Sequence, residues 1–254
     1  MADKNRFISE KVLIHDDNAT RRVRKNVTSI VANLPTAIAE QDLAKYGFAI
    51  GDYFNGASGY TYHLAHPDAY YGGYNSYATV STRNVAIIVD TKANGAYESS
   101  GTVTTYLAST IYTLLSGTVL NNIKSDFIAL FGGSTGLEHL VPHDIWCPTV
   151  ASNAVAEGAW SSFNTRSVYI ATPTESQVYG HSVYSAVAYK EVTCYKQLEI
   201  FQKFTYMEIF GNLWFWLRNL YSPSDACDAN RHGNASFSTV AYTVGRVVGL
   251  ILFH

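Results

Sequence analysis

The stretch NGASGYTYHLAHPDAYYGGYNSY at 55–77 constrains the fold more than any other part of the chain. Its Gly, Asn, Pro and Tyr residues fall in turn-forming combinations. Segments of this length without regular structure are uncommon in compact domains. They are at home where a small twisted sheet carries long ordered loops. Tyrosine suits such loops, because its ring covers apolar surface while its hydroxyl satisfies stray backbone groups. The chain holds 19 tyrosines, 14% aromatic and only 15% charged residues, with a formal net charge of −2. An average soluble domain carries about 25% charged residues. This balance excludes disorder and whole-chain nucleic-acid binding. The most apolar run, VVGLILF at 247–253, is far too short to span a bilayer.

The regular elements are read from periodicity. FAIGDYF (48–54) reads as the first strand, VAIIVDT (85–91) and DFIALFGG (126–133) as buried strands, and SFSTVAYTV and RVVGLILFH as two closing strands. Thr36 is placed to cap a short helix that ends at Gly47. Leu107, Ile111, Leu114 and Leu115 have helical spacing, so a second helix is predicted near 103–115. The class is therefore α+β: an N-terminal extended arm and short helix (1–45), then a domain (46–254) with a small twisted antiparallel sheet, about two helices and long ordered loops. The strand near 48–54 is expected to pair antiparallel with the one near 247–253.

Charge is uneven. Seven Lys and Arg fall in the first 25 residues against four acids. Arg21, Arg22, Arg24 and Lys25 form the densest group, in a segment that lacks the aromatics found elsewhere. Such an arm is expected to pack poorly on its own domain and to dock on another subunit or a larger acidic assembly. The N-terminus shows no apolar signal-peptide core. The cysteines, Cys147, Cys194 and Cys227, are odd in number and form no C-x-x-C pair, which supports neither a zinc site nor a disulfide framework.

Three chemistries are weighed. Gly132-Gly133-Ser134-Thr135-Gly136 fits G-x-S-x-G after an apolar run, the pattern of a hydrolase nucleophile elbow, with His181 or His232 as the base. Too few βα units precede it for a doubly wound sheet. Glu138, His139, His143 and Asp144 could gather a metal, but Pro142 interrupts the helical spacing of the two histidines. Tyr70, Tyr71, Tyr74 and Tyr77 could form a stacking face for sugars or bases. No metal or cofactor is expected, and the chain is read as non-enzymatic.

The C-terminal third carries a resemblance. Glu175, Tyr179 and Gly180 in TESQVYG, then Trp216, Leu217 and Arg218 in FWLRN, then Gly233 after a polar loop, stand in an order similar to a domain of phage, prophage and gut-bacterial proteins. That domain resembles the C-type-lectin-like fold shared with formylglycine-generating enzymes. Asn219 stands where the pattern has serine, and the closing GRVVGL lacks its proline. The earlier segments at 46–65 and 126–140 are similar in look to virion proteins of gut tailed phages. The resemblance implies a virion structural protein made in the host bacterial cytoplasm, a head fibre, capsid decoration or tail-associated component. It would be attached through Arg21, Arg22, Arg24 and Lys25 to capsid or tail proteins, as a homo-oligomer with a trimer favoured. Trp216, Arg218, Glu175 and Gly180 would be its structural core. Tyr70, Tyr71, Tyr74, Asp225, Asp228, Arg231 and His232 would face a host-surface glycan. The other readings are a serine hydrolase using Ser134 and a free carbohydrate-binding module.

Overall fold

A computed structural model describes residues 22–71, 80–103, 105–148, 163–181, 183–184 and 196–254. The architecture is α+β, with few helices and a mostly antiparallel sheet of seven strands. The strands are β1 (Tyr53–Asn55), β2 (Thr61–Pro67), β3 (Val85–Asn94), β6 (Phe215–Ser222), β7 (Asp225–Ala229), β8 (Ala235–Thr239) and β9 (Arg246–Phe253). Their order is β1-β2-β3-β9-β6-β7-β8. A separate hairpin joins β4 (His143–Pro148) to β5 (Phe163–Val168).

The two apolar runs lie side by side at the centre. β3 pairs antiparallel with β9 from Val85↔Phe253 to Asp90↔Val248. Both are buried along nearly all of the shared ladder, so both sheet faces are covered there, as continuous apolar runs require. β9 meets β6 in parallel, through Phe215↔Arg246. The expected pairing of 48–54 with 247–253 does not form. Both segments reach the same sheet, but only Tyr53–Asn55 is strand, and it lies at the edge, with β2 and β3 between it and β9. The run is broken at Gly51, whose φ of +96° sits under the Phe204 ring. Asp52 closes this turn by accepting from the Ala49 amide at 2.9 Å.

DFIALFGG is helix rather than strand. Ser109 accepts from the Tyr112 amide and starts α2 (Thr110–Leu114), a π turn follows over Leu115–Val119, and α3 (Leu120–Phe131) completes one continuous helical rod ended by Gly132 at φ +83°. Ile111, Leu115, Val119, Ile123 and Phe127 are buried, each four residues after the last. On a straight α-helix a spacing of four drifts by about 40° per step. The wider π turn brings the stripe back toward the sheet. There Phe127 meets Tyr62 (5.4 Å between ring centroids) and Phe253 (5.2 Å). Gly249 in β9 makes room for Ile170, which a Cβ there would meet at 2.5 Å.

The N-terminal segment also departs from expectation. Thr36 lies inside α1 (Leu34–Ala39), which opens with Pro35 in its first turn and continues a 3-10 turn at Thr28–Asn33; Gly47 does take the left-handed conformation, φ +83°. Residues 25–27 lie along the outer edge of β1, with Val27 N donating to Tyr53 O and Tyr53 N to Lys25 O. Val27, Val31, Leu34 and Ile38 join the common core, which is continuous across residue 45. From residue 22 onward the arm is therefore part of its own domain. The charge density hid an apolar stripe that covers an otherwise unpaired sheet edge. Val27→Ala is expected to cost about 2 kcal/mol, two methyl groups' worth of burial. Chemical denaturation measures this; an unchanged midpoint would return the segment to solvent.

Candidate functional site

The G-x-S-x-G turn is not a nucleophile elbow in form. It follows the C-terminus of α3, not a strand. The Ser134 hydroxyl donates to the Glu138 carboxylate at 2.9 Å, and the same carboxylate accepts from the Ser134 and Thr135 amides and the Thr135 hydroxyl. These donors hold the Glu138 carboxyl far below its ordinary pKa. Glu138 thus ties down a loop. His139 stacks on Phe253, while His143 is buried against Tyr70 and its pKa is pushed down to about 3, chiefly by burial. Among the described residues no group of three His, Cys, Asp or Glu could hold a metal.

Of the four residues read as core, Trp216, Arg218 and Glu175 are buried, whereas Gly180 is exposed and serves only to end a helix. Trp216 is fully buried, with its indole N–H donating to Gly95 O at 2.8 Å. Arg218 is buried; its guanidinium donates to Thr172 O, while its own carbonyl accepts from Tyr97. Glu175 and Gly180 bound α4 (Glu175–Tyr179). Thr174 and Gln177 form a reciprocal capping box at its start, and Gly180 takes φ +85° at its end.

The residues expected to face a ligand divide. Tyr70 is a correction: it is buried, and its hydroxyl accepts from Gln177 at 2.6 Å. Its φ of +67° turns the ring inward. Tyr71 is half-buried beneath the Arg83 guanidinium, 4.0 Å from the ring centroid. Tyr74, Tyr77 and Arg21 lie outside the described residues. Asp228 is also a correction, because it faces the interior of the sheet from β7, where burial raises its carboxyl pKa to about 6. Arg231 and His232 do face solvent, at the tip of the β7–β8 hairpin. Since folding raises the Asp228 pKa, the folded state holds the extra proton and this residue's contribution to stability falls as pH rises from about 4 to about 6. Asp228→Asn should remove that decline. Thermal unfolding of both proteins across this range tests it; parallel pH profiles would contradict it.

Of the arm cations, Arg22 pairs with the fully buried Asp52 at 2.8 Å, and Arg24 donates to Gly51 O and to Glu208 O. Expected to reach outward, both are held by their own domain, where Asp52, the Gly51 carbonyl and the Glu208 carbonyl accept from them. Lys25 is exposed; its amide also binds Asp52.

One surface was missed in the sequence. Tyr184, Tyr221 and Phe237 come together on β6, β8 and the segment after α4. Tyr221 and Phe237 stack at 4.1 Å with 16° between ring planes, and Tyr184 meets Phe237 at 5.3 Å and 64°. Tyr184 is 41% and Phe237 39% exposed, too much for core packing. Phe237 stands opposite Cys227 in the intervening strand, a small residue that leaves room for rings leaning in from both sides. Buried Glu175 fixes the third ring, its two oxygens accepting from the Val183 and Tyr184 amides at 3.1 and 3.0 Å. Asp225, two residues from Cys227 and hence on the same sheet face, accepts from Ser222 at 2.7 Å and Ser224 at 3.1 Å beside the rings. The arrangement is an aromatic platform with a carboxylate and hydroxyl rim. It can hold a flat face rich in C–H groups and hydrogen-bond the polar edge around it. No protein family, curated protein or solved structure was found to match this chain.

Proposed function

We propose that this chain is a non-enzymatic structural and binding component of a phage particle, whose lectin-like domain takes a host-surface glycan on the Tyr184–Tyr221–Phe237 platform. The platform's exposure carries the reading. A pyranose ring presents a C–H face suited to the aromatic rings and hydroxyls suited to Asp225, Ser222 and Ser224. Arg231 and His232, at the tip of the β7–β8 hairpin, are exposed to extend the contact.

The position of the platform supports the same reading. It lies at the β8 edge of the sheet, while the N-terminal segment runs along the β1 edge. Six strand spacings separate the two edges, about 29 Å. A chain tethered through its N-terminus to capsid or tail proteins, in a homo-oligomer with a trimer favoured, would present the platform outward. Gold-labelled antibody against the chain should decorate purified particles in electron micrographs. A chain found only in the lysate, never on particles, would remove the virion assignment and leave a free carbohydrate-binding module. The serine-hydrolase alternative finds no support in the Ser134 turn.

A further inference from the structure

A second site lies at the other edge of the sheet, where the N-terminal segment crosses β1 and β2. A cleft of about 640 Å³ is lined there by Arg22, Arg24, Tyr53, His63, Lys92 and Phe204, among others. That volume is in the range of small-ligand pockets.

The donor arithmetic of Arg24 defines what the cleft can take. A guanidinium has five N–H groups. One on Nε goes to Gly51 O at 2.6 Å, one on Nη1 to Glu208 O, and one on Nη2 to His63 Nδ1 at 2.5 Å. One N–H remains on each terminal nitrogen, the pair that carboxylates take in bidentate fashion. Among the described residues no carboxylate lies within ion-pair distance of Arg24, whereas Arg22 and Lys92 have Asp52 and Asp90. The Arg24 guanidinium is instead flanked by the Tyr53 ring (5.5 Å) and the Phe204 ring (5.9 Å). His63 is 3% exposed, and because its Nδ1 accepts from Arg24, its proton sits on Nε2, which has no partner. The Glu208 carboxylate also lines the cleft and, with Asp52, acts on Arg24 through space, but it is engaged by the Thr205 amide and hydroxyl at the start of its own helix. A half-buried guanidinium with two N–H groups to spare and no carboxylate in contact, set between aromatic walls, points to the missing group.

We propose that this cleft binds a carboxylate carried on an apolar or aromatic body, with Arg24 as its fork, Tyr53 and Phe204 as its walls, and Lys92 and Arg22 supplying positive potential at its rim. The site is separate from the aromatic platform and stands whether or not the platform takes glycans.

The test titrates the full chain with N-acetyl-L-phenylalanine and, in parallel, with its uncharged carboxamide, following heat and the amide and imidazole NMR signals. The acid should bind at least about tenfold more tightly than the amide, a difference of about 1.4 kcal/mol, and should shift the Arg24 and His63 signals. Arg24 also holds two backbone carbonyls, so the first variant is Lys92→Asn. Asparagine suits the left-handed φ of +60° at this position, and Asp90 keeps its pairing with Arg246. Lys92→Asn should weaken the acid several-fold without moving the melting temperature. Equal binding of acid and amide, no binding of the acid at millimolar concentration, or displacement of the acid by an equal concentration of inorganic phosphate would each overturn the proposal.

Discussion

Trp216→Ala is expected to lower the free energy of unfolding by about 3–5 kcal/mol, the range for truncating a large buried aromatic. The indole is fully enclosed at the seam where β6 meets β9 in parallel. Tyr97 meets it edge-on at 5.8 Å and Trp214 at 4.8 Å. Gly245 lies so close that an added Cβ would stand 2.3 Å from the indole nitrogen. The neighbours are therefore fitted to this side chain, and the alanine variant leaves a cavity and an unpaired Gly95 carbonyl. Trp216→Phe keeps most of the contact and loses the N–H, so it should cost less. Urea titration of the three proteins orders them. A wild-type midpoint for the alanine variant would contradict the burial on which the central sheet depends.

Asp126→Ala is expected to cost about 2–4 kcal/mol, for a different reason. The carboxylate is buried on α3 and accepts from the Ser58 amide at 2.9 Å, the Ser58 hydroxyl at 2.5 Å and the Tyr62 hydroxyl at 2.6 Å. It is the polar tie between the helical rod and the β1–β2 turn, and Gly56 leaves space for it. Alanine leaves the buried Tyr62 hydroxyl without an acceptor, worth about 1–3 kcal/mol, and gives up both bonds from Ser58, whose exposed donors turn to water. Burial and the nearby Asp126 charge hold the Tyr62 hydroxyl pKa well above its ordinary value, so the phenol stays protonated and cannot escape by ionising. Asp126→Asn retains one acceptor oxygen and should fall between. A stability loss for Asp126→Ala no greater than that of an exposed alanine substitution would remove this tie from the account.

What could be read from the sequence depended on range. β3 and β9 were legible because each is a continuous apolar run, and a central strand with both faces covered leaves that mark. Trp216, Arg218 and Glu175 were legible as interior residues through their motif order. Phe127–Phe131 was misread because five largely apolar residues in a row look the same in a buried strand and in the last turn of a helix. Only the four-residue spacing running back to Ile111 separates the two, and the π turn conceals it. Residues 22–33 were misread because their charges stood out while Val27 and Val31 did not. Asp52, the buried acid that draws Arg22 inward, is 30 positions away. The platform had no local signal at all. Tyr184, Tyr221 and Phe237 meet only once the β6–β7–β8 meander and the Glu175 anchor are in place, and the sequence draws attention instead to the dense tyrosines near Tyr70, whose first member is buried.

The platform is the central claim, and direct binding tests it best. The full chain, screened on a glycan array and then titrated with the strongest hit, should lose at least about tenfold in affinity in Phe237→Ala and in Tyr184→Ala, about 1.4 kcal/mol each, while Lys92→Asn, at the opposite edge, binds the same glycan as the wild type does. Undiminished glycan binding by both platform variants, or no glycan bound by the wild-type chain, would contradict it.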